Sequence, residues 1–231
     1  EYFGPTSRAH RELYDILQDG GVFYYHTFQR SVWHWGVEGK IHLPDFPRTE
    51  LEYNPFWQRR YAQLLHRAAE QKQRLSRALR IIDDNLENQS LRNRYDFELY
   101  RTITELMRHN ADLILMLGRL EGAITAAHQT NYSDRAASLG QLERAGQMIE
   151  EHLHDRRQVY DTLVEVWERT RLPKGMSTQD KPYVFAPDRA RDLANRTTDM
   201  KYLIVDEELL DLEGYLERLS SYIDDYRQNL A

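Results

Sequence analysis

A chain of 231 residues that is 41% hydrophobic and 29% charged is long enough to bury a substantial core, and eleven Gly with seven Pro are few for that length. This argues against an all-β sandwich or an α/β barrel. With no cysteine, disulfide frameworks, thiolate metal sites and cysteine nucleophiles are excluded, while the redox compartment stays open. The longest apolar runs, such as Leu113 to Leu117, are far shorter than the roughly 20 residues of a membrane-spanning helix, so no membrane span is expected. The net charge of -6 is local: Asp206 to Leu230 holds eight acids and two arginines, and the remaining residues balance. Arg59 to Arg94 holds nine bases against four acids, so a basic helix and an acidic helix can face each other. A nucleic-acid footprint requires an uncompensated basic face, and no nucleic-acid partner is expected. The 26 arginines against five lysines suit bidentate anion recognition, but genome composition and exposed helix faces account for them more simply.

In chain order, residues 1–50 open with the turn Gly4-Pro5, followed by a helix from about Ser7 to Gln18 with Leu13, Ile16 and Leu17 inward, stopped at Gly20-Gly21. The run GVFYYHTFQRSVWHWG then alternates as a strand does, and a Pro-bearing loop leads to Pro47. The chain begins at Glu1 without signal-peptide features, as expected of a processed chain or a piece of a longer one.

Residues 51–231 read as a bundle. The seam Tyr61, Leu65, Ala68, Lys72, Leu75, Leu79, Ile82, Leu86 is apolar at seven of eight positions. A second runs through Leu99, Ile103, Leu106, Asn110, Leu113, Leu117, Leu120, Ile124 and Ala127, with one polar exception. A third runs Leu139, Leu142, Gly146, Ile149, Leu153, Arg156, Tyr160, Leu163, Trp167, and a fourth from Leu209 through Leu212, Leu216, Leu219, Ile223 and Tyr226 to Leu230. Seams at this spacing predict an all-α fold: an antiparallel bundle of three long helices plus a shorter fourth, with the N-terminal helix and aromatic-rich irregular segment packed on it. The connections are expected at Asn88 to Leu91 and His128 to Ser133, and a Pro-containing crossover at 172–205. The fourth helix is expected to start at Asp206 as N-cap, with Glu207 and Glu208 in its first turn and Val205 stapled to Leu210.

The sharpest local anomaly is the aromatic segment, where Tyr24, Tyr25, Trp33, His34 and Trp35 form either a sugar-stacking platform or a surface that caps the bundle or meets another domain. The spacings of His26, His34 and His42, and of His152 and His154, match no metal pattern, so no metal or cofactor is expected. Adjacent acids such as Asp83-Asp84 and Asp224-Asp225 point apart on a helix, and no catalytic residue can be assigned. If the helices fold back near residues 90 and 131, the polar seam residues Lys72 and Asn110 fall at one level with His152, with Arg156 a turn away. They are expected to form a mid-bundle polar layer that fixes helix register, or alternatively a small buried anion or ligand site.

EYFGPTSRAHRELYDIL at 1–17 resembles the helix that follows the catalytic barrel in large bacterial glycoside hydrolases related to family 20. VWERTRLPKG at 166–175, followed by YLIVDEELLDLEGYLERL at 202–219, resembles the C-terminal helical region of the same proteins. These stretches span about a quarter of the chain and include no catalytic motif. Members of that family place an Asp-Glu pair on the barrel, and no matching pair occurs here. The resemblance implies a non-catalytic C-terminal helical domain of a larger, exported carbohydrate-active enzyme, with the catalytic domain of the same polypeptide as its partner and a glycan as a further possible ligand. The competing expectation is an independent helical interaction module, with a partner helix or a homodimer on an exposed groove.

Overall fold

Each seam becomes a helix because it gathers large apolar side chains on one face, where burial against a neighbour offsets the entropy of ordering the chain. The computed structural model describes Ile16 and residues 41–45, 56–88, 90–169 and 210–229, and all regular structure among them is helical. In chain order the helices are α1 (Trp57–Arg60), α2 (Ala62–Leu86), α3 (Arg94–Thr130), α4 (Arg135–Glu168) and α5 (Leu212–Gln228). The fold is the expected bundle of three long helices and a shorter fourth. α3 packs against both α2 and α4, and α5 packs against α4. The acidic helix therefore lies on α4, where Arg227 meets Glu143 at 2.9 Å and Arg156 meets Glu213 at 3.7 Å. No described helix is long and apolar enough to cross a membrane.

Leu113, Leu117, Leu120 and Ile124 of α3 share one core cluster with Leu142, Ile149 and Leu153 of α4 and with Leu212, Tyr215, Leu219 and Ile223 of α5. A smaller cluster joins Ile16 to Leu75, Ala78 and Ile82 of α2. Ile16, expected on the inner face of the N-terminal helix, is helical and buried; most of 1–50 and the whole of 172–205 lie outside the described residues. Where α2 crosses α3, a Cβ on Gly118 would stand 2.9 Å from Leu65 Cδ2, so a larger residue there would have to push the Leu65 side chain aside.

Helix ends differ from the expected ones for local reasons. α2 stops at Leu86, and the connection runs to Asn93 because Arg94 Nη1 reaches back to the Leu86 carbonyl at 2.8 Å while Ser90 and Asn88 close a turn. His128 to Thr130 remain helical, and α4 starts after Asp134, whose carboxylate accepts from the Ala137 N–H at 2.9 Å. The described helix α5 is capped by Asp211 and is 17 residues long, and the expected cap Asp206 lies outside the described residues. Asp211 takes a left-handed conformation at φ 53°, so the helical conformation starts only after it. Its side chain accepts from Gly214 N at 3.2 Å, and a Cβ on Gly214 would stand 2.5 Å from that carboxylate. Residues 205–209 lie outside the described residues.

The start of α1 is capped from far along the chain. Phe56 provides no side-chain cap, and the buried carboxylate of Glu121 on α3 instead accepts from Trp57 N at 2.5 Å and Gln58 N at 2.7 Å. Gln58 Nε2 donates to the Gly118 carbonyl at 2.7 Å, and the Trp57 indole N–H donates to the His42 carbonyl. Replacing Glu121 by Ala leaves two backbone donors without acceptors, and a loss of about 2–3 kcal/mol is expected. Glu121→Gln, which keeps one acceptor, should lose less; urea unfolding of the three proteins checks the order.

Candidate functional site

A cleft of about 510 Å³ lies over α3 between α2 and α4. Its floor is built by one residue from each of two long helices: His109 of α3 and His152 of α4 are 5% and 6% exposed, and their rings stack at 4.2 Å with 14° between planes. Burial, followed by the charges of His109, Arg156 and Arg119, pushes His152 down to about 3. It is therefore neutral across the physiological range and adds hydrogen-bonding capacity without charge.

Two cations on the α2 side are held by carboxylates. Lys72 Nζ stands 2.5 Å from Asp112 Oδ1, and Arg101 bridges Asp83 at 2.8 Å and Glu105 at 2.7 Å. Further along α3, Arg108 Nε is buried with no hydrogen-bond partner among the described residues. Arg119 and, from α4, Glu151 and Asp155 complete the charged lining, while Met116, Met148 and Val159 provide an apolar part. Glu151 accepts from Gln147 Nε2 at 2.8 Å.

Of the four residues expected in a polar layer, Lys72 and His152 line this one cleft. Asn110 is 1% exposed, and neither of its amide atoms has a hydrogen-bond partner among the described residues. Arg156 turns toward α5, with its guanidinium 5.7 Å from the Tyr160 ring centre and 3.7 Å from Glu213. Tyr24, Tyr25, Trp33, His34 and Trp35 lie outside the described residues. Sequence reasoning missed His109 because α3 was read along one seam only. The signal was present: Thr102, His109, Met116 and Ala123 recur every seven residues and are all buried, which is the second row of a helix held between two neighbours.

A second hollow, about 430 Å³, sits at the α3–α4 turn beside the end of α5. Its rings are fixed by one another: Tyr226 donates to Asn131 Oδ1 at 2.5 Å, Arg135 lies 5.8 Å over the Tyr226 ring, and Tyr222 packs at 6.3 Å. These contacts fasten α5 to the turn. Among the described residues no group of three or more His, Cys, Asp or Glu is placed to hold a metal ion. No family model, no curated protein and no solved structure matches the chain.

The neutral His152 has a measurable consequence. Its folded pKa lies below the unfolded value of 6.5, so its share of stability is complete above that value and is lost as pH falls, because the unfolded state takes the proton first. Between pH 6.5 and 5, before most carboxylates titrate, unfolding free energy should fall by up to about 1.4 kcal/mol per unit from this group. His152→Gln should flatten the slope by that amount in urea titrations at pH 7, 6 and 5.

Proposed function

We propose that the chain is a non-catalytic helical domain of a larger glycoside hydrolase, which braces the catalytic barrel or the rim of its substrate cleft. Support comes from the position of the described residues in the second resembling stretch. Val166, Leu212, Tyr215 and Leu219 are buried, and Arg169 ties α4 to α3 through Glu98 at 2.5 Å while also pairing with Glu165 at 3.0 Å. The resemblance therefore follows residues that hold helices together, as it would in a scaffold shared with such enzymes. In this role the partner is the catalytic domain of the same polypeptide, a glycan reaches the domain at the N-terminal aromatic segment, and the protein is exported.

An interaction module needs one apolar face, and the described residues favour none. The exposed large hydrophobic residues are Phe56, Tyr100 and Tyr132, and Tyr100 and Tyr132 lie near opposite ends of α3, about 45 Å apart by helical rise.

The 231-residue chain should release no aryl alcohol from aryl N-acetylglucosaminides. The polypeptide encoded by the complete reading frame should release it, and should lose activity or thermal stability when residues 51–231 are deleted. Turnover by the isolated chain, or a reading frame that encodes no barrel ahead of Glu1, overturns the proposal.

A further inference from the structure

The cleft between α2 and α4 carries charges of both signs that the bundle does not use. Lys72 is matched by Asp112, and Arg101 by Asp83 and Glu105. Arg108 and Arg119 remain on the α3 side, with Glu151 and Asp155 on the α4 side. Neither arginine forms an ion pair with either of these carboxylates among the described residues, although all four line one cleft. A buried guanidinium N–H without an acceptor is costly, and Arg108 Nε is such a group. Arg108 as a whole lines the cleft and is only partly buried, so the outer part of its guanidinium, rather than Nε itself, can meet an acceptor supplied there by a ligand.

The lining restricts what that ligand is. Four cations (Lys72, Arg101, Arg108, Arg119) face four carboxylates (Glu105, Asp112, Glu151, Asp155), and the buried His152 is neutral. A phosphate would bring two negative charges to a balanced lining and meet Glu151 and Asp155 across the cleft. An amine alone would leave Arg108 unmatched. A molecule with a carboxylate and an ammonium a few ångströms apart meets both walls and adds no net charge, and Met116, Met148 and Val159 offer an apolar side chain a place to pack.

We propose that this cleft binds a free α-amino acid with an apolar side chain. Its carboxylate lies on Arg108 with Arg119 beside it, its ammonium faces Asp155 and Glu151, and the stacked His109–His152 pair forms the floor. The cleft, at about 510 Å³, is within the range that small-molecule sites occupy. This inference is independent of the glycoside hydrolase assignment and stands or falls without it.

Titration calorimetry of the full chain with three probes of one carbon skeleton tests it: L-leucine, 4-methylpentanoate and 3-methylbutylamine, carrying both charges, only the negative one and only the positive one. Leucine should bind saturably at one site, and each singly charged analogue at least tenfold more weakly. Arg108→Gln and the exposed Asp155→Asn should each weaken leucine at least tenfold with unchanged far-UV circular dichroism. Asp155→Asn alone decides the point if Arg108→Gln fails to fold. Binding of 4-methylpentanoate as tight as that of leucine marks a plain anion site, and saturable binding of N-acetylglucosamine with none of leucine marks a sugar site. Either result, or no saturable heat with leucine up to about 20 mM, overturns the proposal.

Discussion

The bundle depends on α3, which packs against neighbours on two sides at once. A surface helix shows one apolar stripe, whereas a helix held between two partners must hide two rows and can carry few charges on either. α3 satisfies this with Leu, Ile, Met and Ala along most of its buried length, each large side chain contributing about 1.5–3 kcal/mol of burial. What distinguishes it is how several of its buried polar groups are answered. Thr102 and Thr104 fold back onto the carbonyls of Leu99 and Tyr100 at 2.8 and 2.6 Å. Glu121 is answered by the backbone at the start of α1, and His109 packs its ring on a second imidazole.

These answers also set register. Nonpolar packing tolerates small slips of one helix along another, because one Leu fills much the same space as the next. A carboxylate that accepts two backbone N–H groups does not, nor does the Ser138 hydroxyl bound to the Ala127 carbonyl at 2.7 Å. Glu121 fixes α1 against α3, and Ser138 fixes the first turn of α4 against the last turn of α3. Exposed pairs such as Arg169 with Glu98 and Arg227 with Glu143 add little stability in water, but they favour this pairing of helix ends over others.

The helix count, their order and most core positions were legible in the sequence because a three-to-four apolar spacing is a direct record of one buried face. Ends were less legible. Asp211 was not legible as a cap from residue type alone, because its role rests on Gly214 three residues later, whose missing side chain leaves room for the capping carboxylate. Long-range partners left no local trace: nothing near Trp57 announces a cap 64 residues away. The polar residues Lys72, Asn110 and His152 were visible one at a time, but seams do not show which faces of three helices meet. Reading α3 along one row led to Asn110 as the counterpart of His152, where the structure sets its neighbour His109.

The stacked histidines and the mixed charges around them follow from the same geometry. With α2 and α4 on separate sides of α3, a strip of α3 between them faces the cleft, and residues there are neither core nor fully solvated. Two positive imidazoles at 4.2 Å would repel strongly in such surroundings, so the pair is stable only while at least one ring is neutral. Arg119 and Arg156 reinforce this by opposing the charging of His152. The carboxylates of the α4 wall stand across from arginines without closing on them, so the cleft keeps both its opening and its electrical balance. Closing those pairs would neutralise the walls from within and leave a ligand fewer charges to meet.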